Sequence, residues 1–427
     1  MTRRVSIGVF GLIVLGYVAV AVGPSFAQGG ATTEHWVTTW ATATFALASQ
    51  AEPGTGQAPA GQPAPPRFSN QTLRQIVHTS LGGEQVRVVV ANTFGTAPLD
   101  IGAGRVALRL KESDIVAGSS RALTFGGRSS ASVPAGAVMV SDPVTLTVPA
   151  LSDLAVDLHL PGDTGAGPSP LTRHLFALQT NYVSTAGDHT GAAQFPVDST
   201  TTSWFFLARV EVVAPAEVSA VVALGNSITD GAQSTTDANS RWPDHLARTL
   251  AGRAVPMGVA NMGIAGNRLL NGGFGPSALA RFDRDVLAAP GVTHLVVMEG
   301  INDIGSGEVG ADELIAGHQQ IIGRARAAGL TVIGATLTPF EDAAFEGYYT
   351  PDHEAARQAL NQWIRTSGAY DAIIDFDAAV RDPAQPTRLQ SQYAAPDNIH
   401  PNDAGYRGMA AAVDLQLFTP LEPAASR

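Results

Sequence analysis

The hydrophobic period of this chain changes once, close to Ala214-Pro215, and no other feature constrains the fold as much. Upstream, apolar residues recur at every second position. Leu154, Val156, Leu158 and Leu160 alternate with Ala155, Asp157 and His159, and Val144-Thr-Leu-Thr-Val148 repeats the pattern. A period of two sets one face of a strand in a core and turns the other, here carrying Asp157 and His159, outward. Val86-Arg-Val-Val-Val90 is a third predicted strand, and Phe125-Gly-Gly127 and Pro161-Gly-Asp163 are predicted turns. Many short strands with Gly/Pro punctuation imply a β-sandwich or jelly-roll-like domain over 28–215. Within it, the Pro/Gly/Ala/Gln-rich stretch 52–66 is predicted to be a flexible loop.

Downstream, short apolar runs alternate with segments of helical period. Strands are predicted at 218–224, 292–298, 331–337 and 372–376. Helices are predicted at 241–250, 311–328 and 351–366, with a last one starting near Pro401. This alternation implies βαβ units and a parallel sheet covered on both faces, over 216–427. Sites on such sheets form beyond the carboxyl ends of the strands, so the chemistry is sought after each apolar run.

The amino terminus reads as a targeting segment. Arg3 and Arg4 precede an apolar run over 5–22, Gly23-Pro24 breaks it, and small residues Ser25 and Ala27 occupy the −3 and −1 positions of a cleavage site. This is the pattern of a secretory signal peptide over 1–27, and it predicts an extracellular or periplasmic protein. An uncleaved anchor is the rival reading of so long a run; Gly8, Gly11 and Gly16 inside it favour removal.

Composition removes several function classes. The chain has no cysteine, which excludes disulfide scaffolds, thiolate metal sites and cysteine nucleophiles and predicts tolerance of reductant. A formal net charge of −11 argues against a nucleic-acid partner, which would select a basic surface. The ten histidines show no metal-ligand spacing, and no metal or organic cofactor is expected. Asp375-Phe-Asp377 has the residue types for a cation but is read as a strand end.

Four segments carry candidate chemistry. Gly225-Asn-Ser227-Ile-Thr-Asp-Gly231 places a serine at a strand-to-helix turn, where it serves as a nucleophile or simply as a helix N-cap. Gly266, in Asn261-Met-Gly-Ile-Ala-Gly-Asn267, offers a backbone N–H to an oxyanion or is a plain loop glycine. Asn302, in Gly300-Ile-Asn-Asp303, offers a side-chain amide to developing negative charge or caps a turn. Asp397-Asn-Ile-His400 sets a carboxylate three residues before a histidine, a spacing that lets it fix the imidazole tautomer.

Together and in this order, the four segments resemble the blocks of the SGNH (GDSL-type) hydrolases over about 216–420. The resemblance implies a three-layer α/β/α, flavodoxin-like domain with a parallel sheet. It also implies a catalytic triad of Ser227, His400 and Asp397 and an oxyanion hole built from Ser227, Gly266 and Asn302. The chain is closer still to a secreted subgroup similar to xylan-associated acylhydrolases with an N-terminal β domain. Thr72-Leu-Arg-Gln-Ile-Val77, Asn92-Thr-Phe-Gly95, Ser141-Asp-Pro143 and Arg241-Trp-Pro-Asp244 carry that likeness, together with Asp375-Phe-Asp377. It implies a secreted serine esterase acting on short acyl esters of a small molecule or polysaccharide, with no stable membrane association after cleavage. Lipase or lysophospholipase activity is the alternative. A glycan-binding protein with a degenerate hydrolase domain is a further one; Trp204 and Trp242 are sugar-stacking candidates for it, with core packing as the plainer role. One position departs from the family: Asn226 stands where the first block usually has aspartate.

Overall fold

The computed structural model describes residues 34–46, 66–167, 169–307 and 309–418. The predicted leader lies outside the described residues, as does the predicted loop over 52–66 except for its last residue.

Two large antiparallel sheets dominate the first part. One has the spatial order Trp36–Ala41, Leu207–Val213, Gly83–Ala91, Val144–Val148; the other runs Val197–Thr201, Asn181–Ala186, Ser69–His78, Asp153–Asp163, Ala103–Lys111, Asp114–Ile115. Val37, Trp40, Val86 and Val210 of the first sheet meet Val77, Val106, Leu154 and Val156 of the second in one buried cluster, so the sheets face each other as a sandwich.

Two segments depart from their sequence pattern. Asp157 does not face solvent: it is 2% exposed. Its cross-strand partner is Arg74, which grips both carboxylate oxygens at 2.7 and 2.8 Å. The Phe195 ring lies 4.4 Å from the guanidinium and helps cover that face. Alternation therefore marks the strand correctly, but the pair of charges is buried because it is internally neutralised and hydrogen-bonded. Pro161-Gly-Asp163 is not a turn either. The strand runs on to Asp163 through a register shift after Leu160, the bulge taking up the proline that cannot donate to the ladder.

The second part holds a five-stranded parallel sheet in the order Met257–Gly263, Ser219–Gly225, Val292–Met298, Thr331–Ala335, Ala372–Ile374. Counted along the chain this is 2-1-3-4-5, the flavodoxin-like order. The crossover into Met257–Gly263 moves one way along the sheet and the later ones move the other way. Right-handed crossovers therefore put Trp242–Ala251 on one face and Ala278–Phe282, Ala311–Ala327 and Pro351–Thr366 on the other. The packing agrees. Trp242–Ala251 touches Asp403–Ala411, which touches Phe376–Val380, while Ala311–Ala327 contacts both Ala278–Phe282 and Pro351–Thr366. The strand Ser219–Gly225, flanked by a strand on either side, is buried on both faces, which explains its unbroken apolar run.

The described residues from His35 onward form one compact unit. Val259 N–H donates to Ser80 Oγ at 2.9 Å and Thr38 N–H to Pro290 O at 3.0 Å, tying the antiparallel strands to the parallel sheet. Trp204 and Trp242 are both buried, which leaves them core residues rather than sugar platforms. Asp375 caps the helix Phe376–Val380 and, with Asp377, is held by Arg365, so the pair serves ion pairing rather than cation binding. Among the described residues no group of three or more His, Asp or Glu side chains is placed to hold a metal ion. Nor is any helix among them long and apolar enough to cross a membrane.

Candidate active site

Three adjacent strands deliver the first three blocks to one edge, at the carboxyl ends of the sheet. Gly225, Gly263 and Met298 are in register at the carboxyl ends of adjacent strands. Ser227, Gly266 and Asn302 follow them by two, three and four residues, so all three emerge at the same level of the sheet.

Ser227 is not the N-cap. That position belongs to Asn226, in extended conformation, whose Oδ1 accepts from Ile228 N–H at 3.1 Å. The serine is thereby the first residue of the one-turn helix Ser227–Asp230, with its hydroxyl left for other work. The turn is tight enough to demand glycine before it, since a Cβ on Gly225 would sit 2.1 Å from Thr229 Oγ1. Asn226 Nδ2 donates to Met298 O at 3.3 Å, joining the serine turn to the neighbouring strand. An asparagine thus supplies the capping acceptor an aspartate would, and adds a donor.

Ser227 Oγ lies 2.8 Å from His400 Nε2, and His400 Nδ1 lies 2.8 Å from Asp397 Oδ2. A carboxylate only accepts, so Nδ1 carries the ring proton and Nε2 is free to accept from the serine hydroxyl. Asp397 is itself held. Its Oδ1 accepts from the N–H groups of Ile399 and His400, and Gln233 Nε2 donates to Oδ2 at 3.0 Å. Partial burial alone would raise this carboxyl. The His400 hydrogen bonds and charge and the Ile399 N–H outweigh it and hold Asp397 well below the usual carboxylate range.

Gly266 has φ +76°, a left-handed conformation, and a Cβ there would meet the Phe274 ring at 2.6 Å. Asn302 Nδ2 donates one hydrogen to Asn267 O at 2.7 Å, leaving its second for a ligand, while its Oδ1 accepts from Tyr348 O–H at 2.7 Å. Asp303 accepts from Leu269 and Leu270 N–H at 2.8 and 3.0 Å, which fixes the Gly266 loop to the helix carrying Asn302.

A buried charged layer underlies the site. Arg281 donates to Gly225 O, Met262 O, Asn267 Oδ1 and Asp285, and approaches Glu299 Oε1 at 3.3 Å. Glu299 is fully buried and its carboxyl is pushed up to about 8 by desolvation, Asp303 adding and Arg281 and Asn226 opposing. His174 of the antiparallel region reaches Asp230 Oδ1 at 3.0 Å, and its other ring nitrogen reaches Ala43 O at 2.8 Å. The β region therefore braces the helix that bears Ser227.

All five residues expected at the site lie at this edge. Tyr348, Gln233, Glu299, Arg281 and His174 were not expected there. Glu299 directly follows the strand Val292–Met298, but nothing in the sequence marks it as a buried acid; the fold brings in the other four.

A model of the GDSL-like Lipase/Acylhydrolase family matches residues 223–407, a span that contains all four blocks. That span is a GDSL-like lipase/acylhydrolase domain by this match. Its chemistry is carboxylic ester hydrolysis. Among solved structures, a GDSL-like lipase from Bacteroides thetaiotaomicron is 21% identical, over 46% of this chain and 86% of its own, with a TM-score of 0.36. An aryl esterase from M. smegmatis is 14% identical, over 48% of this chain and 100% of its own, at 0.40. A carbohydrate acetylesterase family member from Sinorhizobium meliloti is 16% identical, over 45% of this chain and 94% of its own, at 0.38. No curated protein matches the chain.

Proposed function

We propose that this GDSL-like hydrolase is a secreted serine esterase that removes short acyl groups, acetyl first among them, from carbohydrate. The observation that carries the catalytic reading is the unbroken line Asp397 Oδ2–His400–Ser227 Oγ, with both contacts at 2.8 Å. Ser227 Oγ attacks the ester carbonyl as His400 Nε2 takes its proton, and Asp397 stabilises the resulting imidazolium. The N–H groups of Ser227 and Gly266 and the free Asn302 Nδ2 hydrogen receive the oxyanion. His400 then protonates the leaving alcohol, and a water deprotonated by the same histidine releases the acid. No step uses a metal or organic cofactor.

The leader pattern supports export, and the likeness to xylan-associated acylhydrolases supports an acylated sugar or polysaccharide as substrate. The net charge of −11 speaks against nucleic acid, and no lasting membrane association is proposed once the leader is removed. The retained triad weighs against a purely glycan-binding role. One observation favours a more apolar substrate, as in a lipase: Phe274, packed on Gly266, is 49% exposed, and Phe345, next to the residue whose N–H bonds Asp397 O, is 54% exposed. A p-nitrophenyl ester series separates the two readings. The proposal expects kcat/KM to fall from acetate to longer chains, together with acetate release from acetylated xylan. A maximum at eight carbons or more would replace it with the lipase reading.

A further inference from the structure

Tyr348 belongs to none of the four blocks, yet its hydroxyl donates to Asn302 Oδ1 at 2.7 Å. The nitrogen end of the same amide is fixed on Asn267 O at 2.7 Å. An amide held at both ends has no freedom to flip, and its remaining Nδ2 hydrogen has one direction. The tyrosine is itself immobilised. A Cβ on Gly305 would come within 2.3 Å of its ring, the Phe340 ring packs edge-on at 5.8 Å, and His353 Nδ1 meets Tyr348 O at 2.9 Å. The hydroxyl also reaches Ile301 O, but at 3.3 Å, so Asn302 is the better acceptor. Burial, with Asp303 nearby, pushes the phenol pKa far up, so it remains a donor at any working pH.

We infer that Tyr348 is a positioning residue for the hydrolysis: its hydroxyl orients and polarises the Asn302 amide, whose free hydrogen meets the oxyanion. The inference rests on the oxyanion role proposed for Asn302. Donation to an amide oxygen strengthens donation by its nitrogen, so the effect belongs to the transition state rather than to substrate binding.

The test is a cycle of Tyr348→Phe, Asn302→Ala and the double variant, measured on p-nitrophenyl acetate. Phenylalanine keeps the ring contacts, and the melting temperature of each variant is recorded alongside. Tyr348→Phe is expected to lower kcat by about 5–30-fold with KM within roughly twofold. In the Asn302→Ala background the same change should cost less than about twofold, because the group it acts through is gone. Unchanged kcat, an effect confined to KM, or the same loss in both backgrounds would each overturn the inference. If Asn302→Ala alone leaves kcat intact, the oxyanion assignment itself fails, and this inference fails with it.

Discussion

Replacing Glu299 by glutamine should make stability less sensitive to pH, and the structure sets the size of the effect. Glu299 is 0% exposed and its Oε2 has no hydrogen-bond partner. The nearest cation, Arg281, already has Asp285 at 3.0 Å. One guanidinium neutralises one carboxylate, so Glu299 stays protonated in the fold while burial holds its pKa at about 8 against an ordinary 4.5. Below the ordinary value both folded and unfolded chains keep the proton, and Glu299 costs nothing. As pH rises above it, the unfolded chain ionises and the folded one resists, so stability is lost progressively until the folded group titrates. Between pH 4.5 and 7 that loss is roughly 3 kcal/mol. For a folded unit of this size it corresponds to about 4 °C in melting temperature. Glutamine has the shape of the protonated acid and no proton to lose. Thermal unfolding of both proteins at pH 5 and pH 7 should show similar stability at the lower pH and a more stable variant at the higher. A constant offset would refute the buried neutral acid. A variant that becomes relatively less stable as pH rises would show Glu299 to be a carboxylate paired with Arg281.

Three further outcomes follow from the same geometry. Gly266→Ala forces a side chain into φ +76° and into the Phe274 ring, so kcat should fall about 10–100-fold and stability by about 1–2 kcal/mol, read by steady-state kinetics and thermal unfolding. Asn226→Asp keeps the cap on Ile228 but loses the donor to Met298 O and adds a carboxyl beside Glu299. Denaturant unfolding should show a cost of about 1–3 kcal/mol near pH 8 that shrinks towards pH 5, with kcat nearly unchanged. Asp397→Asn should lower kcat by about 10²–10⁴. Because the native carboxyl is held below its ordinary range, its contribution to stability is present above that range, and the stability cost of the asparagine should fade as pH drops below it.

What the sequence made legible follows from where each signal is written. The parallel sheet was readable because buried strands such as Val292–Met298 are continuous apolar runs between amphipathic helices. The site blocks were readable because they follow those runs directly, where the sheet order makes neighbours of Ser227, Gly266 and Asn302. Asp157 misled because alternation reports which residues point away from one core, not whether a second layer covers them. Its partner Arg74 lies 83 positions away, and only strand register joins the two. Pro161-Gly-Asp163 misled because a bulge and a turn use the same residues. Tyr348 was invisible for a different reason. A tyrosine in a loop has no periodic or strand-end signature, and its meeting with Asn302 is 46 positions distant in sequence.

If Ser227 is an activated nucleophile, a serine-directed covalent probe should find it. The wild-type protein, treated with a fluorophosphonate and analysed by intact mass and peptide mapping, should gain one label, on Ser227. His400→Ala should label far more slowly, and Ser227→Ala should neither label nor hydrolyse p-nitrophenyl acetate above roughly 10⁻⁴ of the wild-type kcat. An unlabelled Ser227, or a Ser227→Ala variant that retains ester hydrolysis near the wild-type rate, would contradict the account.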